Sequence, residues 1–287
     1  LRKKTLFAES LIKNVNTYRY YVDMFTQIAI SSWKYTNLPL SVNPRYLEIT
    51  LFEQGIAVWF VDDVMGDMLA LGVMPSSTFN VYGEYTERIA YSRYNDYTNH
   101  LTSKNSVLMY NNMLRIPDQR HIFEFASRLY NLDRAIDVNA NAQKTPVLIK
   151  CPEKQRLTMV NVYKEYDGNA PVIFGNKEFD MNTLSVLKTD APYVADRLYE
   201  LKTKIFNECL TYLGIANVAQ QKKERMVSDE VNRALGGVMA NRNSRLYERQ
   251  YAVQRVNDMF GTNITVEFND GILSDMQSDG EEDIENE

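Results

Sequence analysis

Two long stretches of helical period, Gln119–Asn139 and Ala191–Leu213, constrain this chain more than anything else in it. In the first, Ile122, Phe125, Leu129, Leu132 and Ile136 recur at steps of three and four, which puts them along one side of a 3.6-residue helix. Leu198, Leu201, Ile205, Cys209 and Leu213 do the same in the second. At 1.5 Å per residue each rod is roughly 30 Å long or slightly more. Asp118 and Asp190 stand where N-caps belong, Pro192 is tolerated in a first turn, and Gly214 is a natural stop. Rods of this length need neighbours along them. The neighbours are either each other within one subunit or the same rods in other subunits.

The rest of the chain is shorter in grain. Residues 1–16, with Arg2, Lys3 and Lys4, read either as a basic arm leading into a helix or as a helix that begins near Thr5, and 17–35 as a clearer helix closed by Asn37-Leu-Pro39. A short helix, Arg45–Glu53, precedes the strand-like pieces Ile56–Val61, Leu69–Met74, Glu87–Tyr91 and Val107–Tyr110. Residues 45–115 therefore read as a small mixed α/β unit, with Ser76–Asn99 as a tyrosine-rich surface excursion. Between the rods, a strand from Val147, a short helix at Leu157–Tyr166, a turn at Gly168–Pro171 and a strand at Val172–Phe174 make a compact polar unit. After Gly214 the chain is charged. Asn232–Arg245 lacks periodicity, holds Gly236-Gly237 with Arg233, Arg242 and Arg245, and is expected to be a mobile basic loop. Tyr247–Phe260 reads as a helix with Tyr251, Val256 and Phe260 toward its apolar side, and Thr262–Phe268 as a strand alternating Ile264, Val266, Phe268.

Charge and motifs narrow the chemistry. The formal charge of −5 hides an acidic tail, 270–287, with eight acids and no base, so the rest is close to neutral at +3. Such a tail is expected to be solvated and disordered. No run of eighteen apolar residues exists, so no membrane helix is expected. The start lacks a signal-peptide pattern and an initiating Met, so a trimmed, intracellularly made chain is expected. Cys151 and Cys209 make neither a disulfide framework nor a metal pattern, and His100 and His121 have no companions. No phosphate-binding glycine loop or nucleophile elbow occurs, so neither enzymatic activity nor a cofactor is expected. Asp62, Asp63 and Asp67 could hold metal in a nuclease, but a solvated loop explains them as well. Nineteen tyrosines suit wet, polar subunit interfaces and equally suit an ordinary globule. Lys144, Lys150, Lys188 and Arg197 lie at or near the rod ends; in a monomer they are surface charges, and in a closed ring each becomes a circle of charge.

Long segments carry a resemblance. Asn37-Leu-Pro-Leu-Ser-Val-Asn-Pro44, Asn139-Ala-Asn-Ala-Gln-Lys-Thr-Pro-Val-Leu-Ile149, Tyr166-Asp-Gly-Asn-Ala-Pro-Val-Ile-Phe174, Lys188-Thr-Asp-Ala-Pro-Tyr-Val194 and Lys222-Lys-Glu-Arg-Met-Val-Ser-Asp-Glu-Val231 closely resemble the upper collar, or head–tail connector, of small phi29-like tailed phages. The resemblance implies a mixed α/β portal fold: long stem helices, a small β-containing clip and an α/β wing, assembled as a ring of twelve. On this chain it implies a basic arm (1–16), helix and wing (17–118), first stem helix (119–139), clip (140–190), second stem helix (191–213), charged segment and channel loop (214–246), wing helix and strand (247–269) and tail (270–287).

It further implies a portal at the capsid vertex, a channel for double-stranded DNA in packaging and ejection. Partners would be the major capsid protein, lower collar or tail proteins, a packaging ATPase and packaging RNA, in a virion assembled in a bacterial host's cytoplasm. The family's two channel lysine rings fall on Lys188 and on Arg197, where arginine replaces lysine and alters the phosphate geometry. Arg233, Arg242 and Arg245 would join them from the channel loop, and Arg2, Lys3 and Lys4 would meet the RNA or motor. A tail or capsid scaffold component without DNA contact is the alternative, with the nuclease behind it.

Overall fold

A computed structural model describes residues 2–142, 147–150, 172–175, 192–216 and 228–269. The chain divides into two compact units, Leu1–Arg128 with Ile205–Glu287, and Leu129–Lys204. The helices are α1 (Arg2–Ser31), α2 (Pro44–Gln54), α3 (Gln119–Ala142), α4 (Ala195–Leu213) and α5 (Ser228–Phe260). The strands are β1 (Trp33–Thr36), β2 (Ile56–Val61), β3 (Met68–Met74), β4 (Glu87–Tyr91), β5 (Thr98–Thr102), β6 (Ser106–Tyr110), β7 (Val147–Lys150), β8 (Val172–Gly175) and β9 (Thr265–Phe268).

The first unit is built on an antiparallel sheet in the order β5-β4-β3-β2-β6. Its interior strand β2, between β3 and β6, is an unbroken apolar run because both faces are covered. Ala57 and Trp59 face a core with Leu47 and Leu51 of α2, Ala252, Val253 and Val256 of α5, and Ile264 and Val266 near β9. Val58 and Phe60 face a second cluster with Val73, Ala90, Leu101 and Leu108, against which Tyr85 and Tyr97 pack. α2 begins where Asn43 accepts a hydrogen bond from the Tyr46 amide at 3.0 Å with Pro44 in its first turn.

Several expectations change here. The basic arm and first helix are one helix, which stops at Ser31. The next residues form β1, which pairs antiparallel with β9, Trp33 opposite Phe268. A partner more than two hundred residues away overrides local helical pattern. Asn232–Arg245 is no mobile loop but part of the 33-residue α5. Tyr251 is 46% exposed rather than on the apolar side of that helix. β5 was not anticipated, whereas β2 and β4 match the expected ranges. α4 starts at Ala195, leaving Pro192 ahead of it rather than in its first turn.

In the second unit, Lys202 pairs with Asp133 at 2.7 Å. Asn139 donates to the Pro192 carbonyl at 3.0 Å and accepts from the Val194 amide at 3.0 Å, so one side chain of α3 ties down the residues leading into α4. β7 and β8 pair in parallel, Val147 opposite Val172. The expected helix at 157–166, Asp190 and the acidic tail lie outside the described residues.

α4 ends at Gly214 with φ +81°, and the Ile215 amide closes back on the Leu210 carbonyl at 2.9 Å. A Cβ at Gly214 would stand 2.8 Å from the Arg242 backbone of α5. Replacing Gly214 by Ala is therefore expected to destabilise the protein by more than about 1 kcal/mol, through both the positive φ and the close approach. A urea midpoint unchanged from the parent would refute this account of the α4–α5 contact.

Candidate functional site

The inward positions of α5 run Val238, Arg242, Arg245, Arg249, Ala252, Val253 and Val256, so arginines stand where a helix stripe is normally apolar. Arg245 is 4% exposed and grips Asp118 with two bonds, Nε to Oδ2 at 2.9 Å and Nη2 to Oδ1 at 2.8 Å. One helical turn on, Arg249 is 1% exposed and grips Glu48 in the same way, at 3.0 and 2.7 Å. Its remaining donors reach the Asn111 carbonyl at 2.8 Å and side-chain oxygen at 3.1 Å. Each guanidinium also lies on a ring: Arg242 over Phe268 at 3.8 Å, Arg245 over Tyr212 at 4.7 Å, Arg249 over Trp33 at 4.1 Å. Arg242 donates through Nε to the Gly214 carbonyl at 3.0 Å.

The carboxylates are satisfied as fully as the arginines. Asp118 also accepts from the Tyr212 hydroxyl at 2.8 Å, and Glu48 from the Tyr35 hydroxyl at 2.5 Å. Burial alone would raise the Asp118 carboxyl, but the bonds and charge of Arg245 outweigh it and hold it below the usual range. Burial would lower Arg249, yet Glu48 keeps it above its ordinary value. Burial, then Glu48, push the Tyr35 phenol well up, and burial with Asp118 does the same to Tyr212 and to the buried thiol of Cys209. Cys209 is thus an inert core residue.

The expected DNA-facing residues fall into three groups. Arg245 and Arg242 are committed within the chain by the contacts above, so the basic-loop assignment does not survive for them. Arg197 is exposed, in the first turn of α4. Lys188 and Lys144 lie outside the described residues, as do the side chains of Arg233 on α5, Lys150 on β7, and Arg2, Lys3 and Lys4 at the start of α1. Asp118 holds the N-cap position of α3, but its carboxylate is turned to Arg245 instead of the helix amides.

The Asp62, Asp63 and Asp67 trio builds a turn rather than a metal site. Asp62 is buried and accepts from the amides of Val64 at 2.9 Å and Met65 at 2.8 Å and from the Tyr97 hydroxyl, while Asp63 and Asp67 are exposed. No three His, Cys, Asp or Glu side chains among the described residues come together as a metal-binding group.

The family sequence model described as Phage Connector (GP10) matches residues 4–273 of this architecture. The chain belongs to the phage connector family. A chain from the portal and tail of native bacteriophage P68 has the same fold, with a TM-score of 0.52, 15% identity and 97% of each chain covered. An HK97-family phage portal protein from Corynebacterium diphtheriae is more distantly similar, with a TM-score of 0.44, 12% identity and 90% of this chain and 94% of that one covered. As a connector, the protein is a structural link between capsid and tail at the head–tail junction of the virion.

What sequence reasoning missed in this connector is the partnership of Arg249 with Glu48 and Asn111. The signal was present: Arg242, Arg245 and Arg249 follow Val238 and precede Val253 and Val256 at helical steps of three and four. Breaking a buried pair leaves its partner charge uncompensated, so Arg249→Met and Asp118→Asn are each expected to cost about 3–5 kcal/mol, read from urea melts. The depressed Asp118 carboxyl adds stability that is complete above its unfolded pKa of about 4 and is lost as pH falls through its lower folded value. Asp118→Asn should therefore flatten the acid limb of a stability–pH profile; an unchanged limb would count against the Arg245–Asp118 account.

Proposed function

We propose that copies of this connector close into a ring, twelve by family resemblance, around a channel through which double-stranded DNA enters the capsid and later leaves. The observation that carries the reading is the family match over nearly the whole chain. The rods lend support. In the second unit Val138, Tyr193, Tyr199 and Leu201 are all well exposed, which suits contact with copies of the same rods. Residues 140–190 would be the narrow end of the ring, and 45–115 with 247–268 its wide part.

DNA handling in this reading is passive. Lys188, Arg197 and Arg233 supply sparse rings of positive charge, each weak alone and multiplied by symmetry, so the duplex is held without being stalled. A separate packaging ATPase drives the DNA. Arg2, Lys3 and Lys4 on the start of α1 offer a phosphate-binding patch to that motor or to a packaging RNA, and the shell and tail proteins take the ring's outer surfaces.

Native mass measurement of the purified particle should give about twelve times 33.3 kDa. In assembled rings, Lys188→Ala, Arg197→Ala and Arg233→Ala together should reduce retention of packaged DNA, with the difference from the parent narrowing as salt is raised. Full retention by intact mutant rings would instead favour a scaffold that joins head and tail without gripping DNA.

A further inference from the structure

Where the two buried ion pairs come together, the first unit holds a small cavity of about 10 Å³. It lies where the ends of α1, β6 and α4 meet α2 and α5. Every residue that lines it is 9% exposed or less, so the cavity is interior. Its volume gives room for about one water molecule. Glu48, Asp118, Arg245 and Arg249 all line it, together with Ser32 and Asn111. Two guanidiniums face two carboxylates there, so the charges cancel and neither sign of ion is selected. An apolar cavity stays dry, whereas one lined by polar groups with bonding capacity to spare takes up water.

That capacity can be counted. Asp118 Oδ1 accepts from Arg245 Nη2 and the Tyr212 hydroxyl, both at 2.8 Å, and from Asn112 at 3.5 Å. Its Oδ2 accepts only from Arg245 Nε among the described residues, at 2.9 Å. Glu48 is uneven in the same way. Its Oε1 accepts from Arg249 Nε at 3.0 Å and from the Tyr35 hydroxyl at 2.5 Å, while its Oε2 has only Arg249 Nη2, at 2.7 Å. Each carboxylate therefore keeps one oxygen with an open lone pair. On the donor side, Arg245 spends one hydrogen on the Asn241 carbonyl and two on Asp118, which leaves two of its five. The Ser32 hydroxyl gives its hydrogen to the Ile28 carbonyl at 2.7 Å and can still accept.

We propose that one water molecule is built into this cavity, donating to the carboxylates of Asp118 and Glu48 and accepting from Arg245. Two carboxylate oxygens cannot bond one another, so only a donor placed between them serves both. The water joins the Arg245–Asp118 pair to the Arg249–Glu48 pair and makes one network of α2, α5 and the start of α3. The site lies within a single subunit and does not depend on how copies assemble.

Crystals of the purified protein, at a resolution that shows other interior waters, test this directly. One peak should stand in the cavity at hydrogen-bond distance from Asp118 and Glu48, and exchange of the salt for rubidium bromide should leave it without anomalous signal. No peak there, while other interior waters are visible, means a dry void and overturns the site. An anomalous signal from rubidium or bromide means an ion and overturns it as well. Ala29→Val gives a second reading, because Ala29 lines the cavity and the added methyls take up its space. Expelling a bonded water strands the two carboxylate oxygens, so the peak should vanish and the urea midpoint should fall. A midpoint that rises is the mark of an empty space being filled, and overturns the proposal.

Discussion

The buried arginine stripe of α5 is the interaction on which the rest of the first unit depends. Arg242, Arg245 and Arg249 together reach β9 through Phe268, the end of α4 through Gly214 and Tyr212, the start of α3 through Asp118, α2 through Glu48, and β1 through Trp33. No single apolar residue could link so many separate segments, because a guanidinium offers five donors and a flat face at once. The stripe also explains the half-buried Tyr35 and Tyr212, whose hydroxyls complete the two carboxylates.

This arrangement bears on function through the rods. α3 begins at the residue after Asp118 and α4 ends one residue before Gly214, so the stripe fixes one end of each long helix to the same helix, α5. Gly214 adds a second constraint, since its missing Cβ lets α4 finish against the Arg242 backbone. In the ring proposed above, the rods would carry position from the part held by the shell to the part that meets the motor and tail. Rods anchored by bidentate, buried pairs suit that task better than rods resting on apolar packing that can slide.

Much of the fold was legible locally. The rods follow from the steps of three and four in Ile122–Ile136 and Leu198–Leu213, and β2 from its apolar run bounded by Gly55 and Asp62. What escaped was nonlocal. β1 reads as more helix until β9 pairs with it, and a basic stretch with two glycines reads as loop until its arginines are seen to face inward. Arginine is ordinarily an outward residue, so a stripe with three successive arginines between Val238 and Val253 looks aperiodic. The same error turned Arg245 into a candidate for DNA, when the residues that hold it, Asp118 and Tyr212, stand 127 and 33 positions away. Arg197, by contrast, is exposed in the first turn of α4, as a surface charge there should be.

Buried ion pairs are a poor source of net stability, since apolar residues of similar volume often do as well. Their effect is on tolerance of error. An apolar stripe on α5 would accept a slipped neighbour at the cost of some packing; an arginine stripe does not, because any shift that separates Arg245 from Asp118 or Arg249 from Glu48 strands a charge in the core. In the ring proposed above, small errors in rod placement would accumulate from copy to copy. A core that penalises such errors steeply keeps each copy superimposable on the next, and that uniformity lets weak contacts between copies add up.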